Sequence, residues 1–122
     1  MMLTLDQLMA LPRAAEVTEV IEVPDWGGPV TIRAISLAQR DEMRRDTNAN
    51  GVHDAGRWDT LVLVNGFADP VLDYDSAAQL RQLKLGGIGQ VIDRIWELSG
   101  LTPAGQISKA AVDAAEATFR PG

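Results

Sequence analysis

The stretch Asp46-Thr47-Asn48-Ala49-Asn50-Gly51 carries the sharpest chemical spacing in the chain. Asp46, Asn48 and Asn50 place oxygen donors at alternate positions and Gly51 follows for a tight turn. Val52 offers a carbonyl, and Asp54 falls at the ninth position. That is the first half of a calcium loop of the EF-hand type. The twelfth position, which should hold a bidentate Glu, is Arg57, a cation that opposes a metal ion and removes its best ligand. A polar turn rich in Asn and Gly is the better reading. Gly86-Gly87-Ile88-Gly89 opens a helix as phosphate-binding loops do, yet no Lys-Ser/Thr follows it and no strong strand precedes it. A helix break with close backbone packing is expected there. His53, the single histidine, lies in the polar loop and reads as solvated. The absence of cysteine removes disulfides, thiolate metal sites and cysteine nucleophiles. No serine lies in a nucleophile-elbow sequence, and the carboxylate pairs share no identifiable pocket. The expectation is a protein without catalytic residues, cofactor or metal.

The elements that position these residues are constrained first by composition. At 122 residues, 46% hydrophobic and 23% charged, the chain has material for one domain with a modest core. Its net charge of −6 disfavours nucleic acid. The tightest basic cluster, Arg40, Arg44 and Arg45, is interleaved with Asp41, Glu42 and Asp46. No apolar run approaches the roughly 20 residues of a membrane span. The start, MMLTLDQLMALPR, lacks a basic region ahead of an apolar one, so a cytoplasmic protein is expected.

Thr4 with Gln7 forms a capping box for a short helix whose apolar face is Leu5, Leu8 and Met9, stopped by Pro12. Too short to stand alone, it is expected to dock on something. Val17 to Val23 and Val30 to Ile35 read as strands, with Val20 breaking the first alternation and a loop of about six residues between them. Two strands alone are marginal, so the hairpin needs a covering helix or a strand from another chain. Ser36 with Gln39 opens a charged, solvated helix over 37–46, held down by Leu37 and Met43. Arg57 to Ala68 is apolar nearly all round and reads as the central core helix, ended by Asp69-Pro70. A strand is its competitor, because Leu61 to Val64 is a short aliphatic run. Asp75 or Ser76 caps another short helix with Ala77, Leu80 and Leu83 inward, broken by Gly86-Gly87.

Ile88 to Ser99 is the best-specified element. Ile88, Val91, Ile92, Ile95 and Leu98 share one face and Gln90, Asp93, Arg94 and Glu97 the other, with Trp96 at the stripe's edge. Gly100 stops the helix and Leu101 folds back on its last turn. Residues 107–118 are alanine-rich with little to bury. The expected fold is α+β, mainly α: an N-terminal β-hairpin followed by about four helices. A single domain over 1–101 precedes a loosely attached tail over 102–122.

The run EVIEVPDWGGPVTIRAISLAQRDEM, an apolar helix ending Gly-Phe-Ala-Asp-Pro, and DSAAQLRQLKLGGIGQVIDRIWELSGLT resemble the small tail assembly chaperones of long-tailed bacteriophages and related prophages. Four features carry the resemblance over roughly residues 3–102. Val23-Pro24 leads into a Trp-Gly turn, Ser36 to Asp41 is a Ser-Leu-x-x-Arg-Asp helix start, Asp69-Pro70 closes the middle helix, and Leu98-Ser99-Gly100-Leu101 ends the last. The resemblance implies a non-enzymatic helper in the host bacterial cytoplasm. It would keep the long tape measure protein soluble until major tail-tube subunits polymerise around it, and be absent from the finished virion. It also implies that some relatives have a longer form made by frameshifting. Many copies would coat one tape measure through apolar helix surfaces near the C-terminal half. Trp26, Trp96, Leu101 and Phe119 are the candidate partner contacts, and self-association is a further candidate interaction. A structural tail or connector subunit is the main rival, and a calcium-dependent binding module a second.

Overall fold

The computed structural model describes residues 2–102. Thr4 caps α1 (Leu5–Met9): the Gln7 N–H donates to Thr4 Oγ1 at 3.2 Å, and the Thr4 N–H donates to Gln7 Oε1 at 2.8 Å. After a single 3-10 turn at Ala14–Glu16, the β-branched stretch forms β1 (Thr18–Val23). It pairs antiparallel with β2 (Gly28–Arg33), from Thr18 opposite Arg33 to Val23 opposite Gly28. The connection is four residues rather than about six. Pro24–Trp26 makes a 3-10 turn, and Gly27 takes the left-handed conformation, φ 76°, that lets the chain reverse. Val23 and Ile32 are fully buried, whereas Val20 points to the other sheet face and is exposed. That is why the alternation looks broken: Val20 is an apolar residue on the solvent face.

The Ser36–Gln39 capping box opens α2 (Leu37–Thr47), with the Gln39 N–H donating to Ser36 Oγ at 3.1 Å. Met43 and Thr47 anchor it; Leu37, expected inward, is half exposed. Ile35, read as the end of the second strand, lies beyond it, since β2 ends at Arg33, and is buried. Its N–H donates to Ser99 Oγ at 2.7 Å, which ties the end of β2 to the last helix.

The central helix, α3 (Ala55–Gly66), buries Trp58, Thr60, Val62, Leu63 and Gly66, and packs against helices on three sides and against β2. It stops at Asn65-Gly66, earlier than expected. Phe67–Asp69 then becomes β3, paired antiparallel with β2 at Thr31–Asp69 and Ile32–Phe67. The sheet order is β1-β2-β3. Asp69-Pro70 therefore closes a strand, not the middle helix. The reason is that β2 would otherwise leave its second edge unpaired, and three extended residues after α3 satisfy it.

The next helix, α4 (Tyr74–Leu80), is capped by Asp73 rather than by Asp75 or Ser76, with the Ser76 N–H donating to Asp73 Oδ1 at 2.7 Å. Starting there points Ala77, fully buried, at the core and leaves Leu83 on the surface. The Ser76 backbone N–H, and then its hydroxyl, hold the Asp73 carboxyl below its ordinary value of 3.8. A lowered folded-state value stabilises the protein above pH 3.8, and this contribution is lost as pH falls through the folded value. Asp73→Asn keeps a capping oxygen but has no proton to gain. The stability difference between wild type and Asp73→Asn is therefore expected to be constant above pH 3.8 and to move against wild type below it, as read by acid titration of urea midpoints.

The last helix, α5 (Leu85–Ser99), ends in a Schellman turn. Gly100 is left-handed at φ 73°, its N–H donates to the Glu97 carbonyl at 3.1 Å, and the Leu101 N–H donates to the Trp96 carbonyl at 2.9 Å. Leu101 thereby folds into the core. The result is an α+β fold, mainly α: a hairpin, extended to three strands by β3, followed by four helices, with a short helix before it. Among the described residues no helix is long and apolar enough to cross a membrane. The alanine-rich tail lies outside the described residues.

Candidate functional site

The calcium-like loop is organised by Arg57. Its guanidinium makes a two-point contact with Asp46, Nε to Oδ1 at 3.0 Å and Nη2 to Oδ2 at 2.9 Å. Hydrogen bonding to that carboxylate raises the Arg57 pKa above its ordinary value. Asp54 is the N-cap of α3, accepting from the Arg57 N–H at 3.0 Å. The Asn48 amide donates to the Arg44 carbonyl at 2.7 Å and closes the end of α2. The oxygen donors of Asp46 and Asp54 are thus already engaged by Arg57. Among the described residues, no three or more His, Cys, Asp or Glu side chains are grouped to hold a metal ion. His53 sits exposed beside Trp58, ring centroids 6.3 Å apart.

The glycines of Gly86-Gly87-Ile88-Gly89 lie inside the first turns of α5 and do not break a helix ahead of it. The hairpin tip rests on them. A Cβ on Gly86 would stand 2.5 Å from an Asp25 carboxylate oxygen, and one on Gly87 would stand 2.5 Å from Trp26 Nε1 and 3.0 Å from Trp26 Cε2. Where a phosphate-binding loop would receive an anion, this chain already places the Asp25 carboxylate at the positive end of the helix. Gly89, one turn along, has nothing within 4 Å of a Cβ. The two positions therefore respond oppositely to alanine. Gly89→Ala is expected to raise stability by about 0.5–1 kcal/mol through helix propensity. Gly87→Ala is expected to lower it by about 1–3 kcal/mol through overpacking against the indole. Thermal melts of the two variants check the sign.

Trp26 is half-buried and stacks on Phe67, centroids 6.3 Å apart at 27°. Its indole N–H is buried and has no acceptor among the described residues. Trp96 and Leu101, expected as partner contacts, are instead core residues at 1% and 4% exposure. The Trp96 ring stacks on Trp58, centroids 5.8 Å apart and 15° from parallel. The buried arc of α5 is Gly87, Ile88, Val91, Ile95 and Trp96, so it is turned toward Trp96 and leaves Ile92 and Leu98 half-buried. The flat face of Trp58, arriving from α3, sets that rotation. Phe119 lies outside the described residues.

A cleft between β1 and α5 is lined by Ile21, Gln90, Asp93, Arg94 and Glu97. Arg94 bridges Glu19 at 2.7 Å and Glu97 at 2.8 Å. The surface feature that sequence reasoning missed is the N-terminal segment. The face of α1, expected to dock, is exposed, as are its neighbours Met2, Leu3 and Leu11. The available signal was that no other element of the chain was assigned to cover Leu5, Leu8 and Met9. Protein-family models, curated proteins and solved structures gave no match to the chain.

Proposed function

We propose that the protein is a phage tail assembly chaperone, a non-enzymatic helper that binds the tape measure protein in the host bacterial cytoplasm. It keeps that protein soluble while major tail-tube subunits polymerise around it, and it is absent from the mature virion. The observation that carries the reading is a concentration of exposed apolar side chains, Met2 to Leu11, on an otherwise folded domain of net charge −6. A long helical protein with apolar stripes is a hazard when bare. An acidic domain that offers one apolar segment covers such a stripe and keeps the complex dispersed by its charge. The resemblance in sequence adds support where its motifs coincide with structural joints: the Trp26-Gly27 reversal, the Ser36 cap and the Ser99-Gly100-Leu101 stop.

Co-expression is the test. A tape measure protein that is insoluble alone should become soluble and co-purify with this chain; continued insolubility with no recovered complex overturns the reading. Mass spectrometry of purified tails should find the chain absent. Abundance there would make it a structural tail or connector subunit.

A further inference from the structure

Resting on that reading, we infer that Met2–Leu11 is the contact element, and that its occupant is a long helix with an apolar stripe flanked by basic side chains, engaged by many copies in series. The segment holds six of the fourteen exposed large hydrophobic residues of the described chain: Met2 92%, Leu3 61%, Leu5 69%, Leu8 42%, Met9 57% and Leu11 51% exposed. The other eight are spread over residues 17–85. The capping box specifies a helix, and five residues cannot hold one in water without a surface to lie on. Yet α1 makes no extensive contact with any other described element. Pro12 and the turn at Ala14–Glu16 separate it from β1.

Area and charge select the occupant. The segment exposes on the order of 500 Å² of apolar surface, the size of the largest patch on a typical monomer. A stable two-body interface uses roughly 800 Å² per partner, so one such contact is too small for a firm dimer. Repeated along a polymeric partner, the same weak contact accumulates through avidity. Asp6 is the sole charged residue from Met2 to Leu11, and the whole chain is −6. Two copies would bring like charges together, whereas a stripe with basic flanks is attracted.

The test titrates the full chain with a synthetic helix of about four heptads, leucine at the seam and lysine on the flanks. Wild type is expected to bind in the micromolar range. The double variant Leu5→Glu, Leu8→Glu should bind at least about tenfold more weakly. A peptide with glutamate flanks should also bind more weakly. No binding by wild type, or equal binding by the variant, overturns the inference. Alone, wild type should sediment as a monomer; a dimer that the double substitution dissolves would place a second copy on this face and also overturn it. The variant should melt with wild type; a large fall would mean that α1 packs within its own chain, with the same consequence. Rescue of the tape measure by wild type but not by the variant supports the inference. Equal rescue removes it and leaves the proposed function standing. If wild type fails to rescue, the proposed function falls, and the peptide titration still decides the surface.

Discussion

Trp96→Ala is expected to destabilise the protein by about 3–5 kcal/mol, the range for emptying a buried aromatic site. The ring is 1% exposed, stacks on Trp58, and stands on a helix whose fully buried neighbours Val91 and Ile95 leave nothing flexible to fill the space. With total stabilities of about 5–15 kcal/mol, such a loss consumes a large share of what a domain has. At about 4–8 °C per kcal/mol it lowers the melting temperature by tens of degrees. Trp96→Phe keeps a ring against Trp58 and should lose less. Urea denaturation gives the magnitude, and near-ultraviolet circular dichroism reports the loss of the paired indoles. A variant that melted with wild type would mean that Trp96 is not a core residue.

Gly66→Ala is expected to cost about 1–3 kcal/mol by overpacking, against the usual gain of about 1 kcal/mol from replacing glycine in a helix. A Cβ there would stand 2.8 and 2.9 Å from Cγ2 and Cγ1 of Ile95, which is fully buried and has no room to withdraw. Backbone conformation is not the obstacle, since positive φ among the described glycines is confined to Gly27, Gly51 and Gly100. Ile95→Ala alone should cost about 2–5 kcal/mol. In the Gly66→Ala background it should cost less, because it opens the space the new methyl needs, giving a coupling of about 0.5–3 kcal/mol. Additive losses would mean that α3 and α5 do not meet at this point.

Both predictions concern the seam between α3 and α5, where the sequence was most and least informative at once. The apolar stripe of α5 and its Gly100-Leu101 stop were legible, because helix periodicity and caps act within one or two turns. The rotation of that helix was not. Five aliphatic residues and a tryptophan span a wider arc than one partner covers, and the position of Trp58, 38 residues earlier in the chain, chooses among them. Gly66 shows the same division. The sequence carried the helix past it to Ala68, whereas the helix ends at Gly66 and the closeness of Ile95 exists only after packing.

By itself, then, the sequence determined the α+β class, the order of hairpin and helices, and the capping boxes at Thr4 and Ser36. These rest on interactions between residues a few positions apart. Tertiary structure alone decided that Phe67–Asp69 is a strand, for three residues carry no periodicity and it is the open edge of β2 that extends them. It decided that Asp73 is the cap of α4, because Ala77 must face inward. It put Trp96 and Leu101 in the core and left Leu5, Leu8 and Met9 outside. An apolar residue is drawn to whatever surface is near enough and large enough to cover it, and which surface that is depends on contacts between distant parts of the chain.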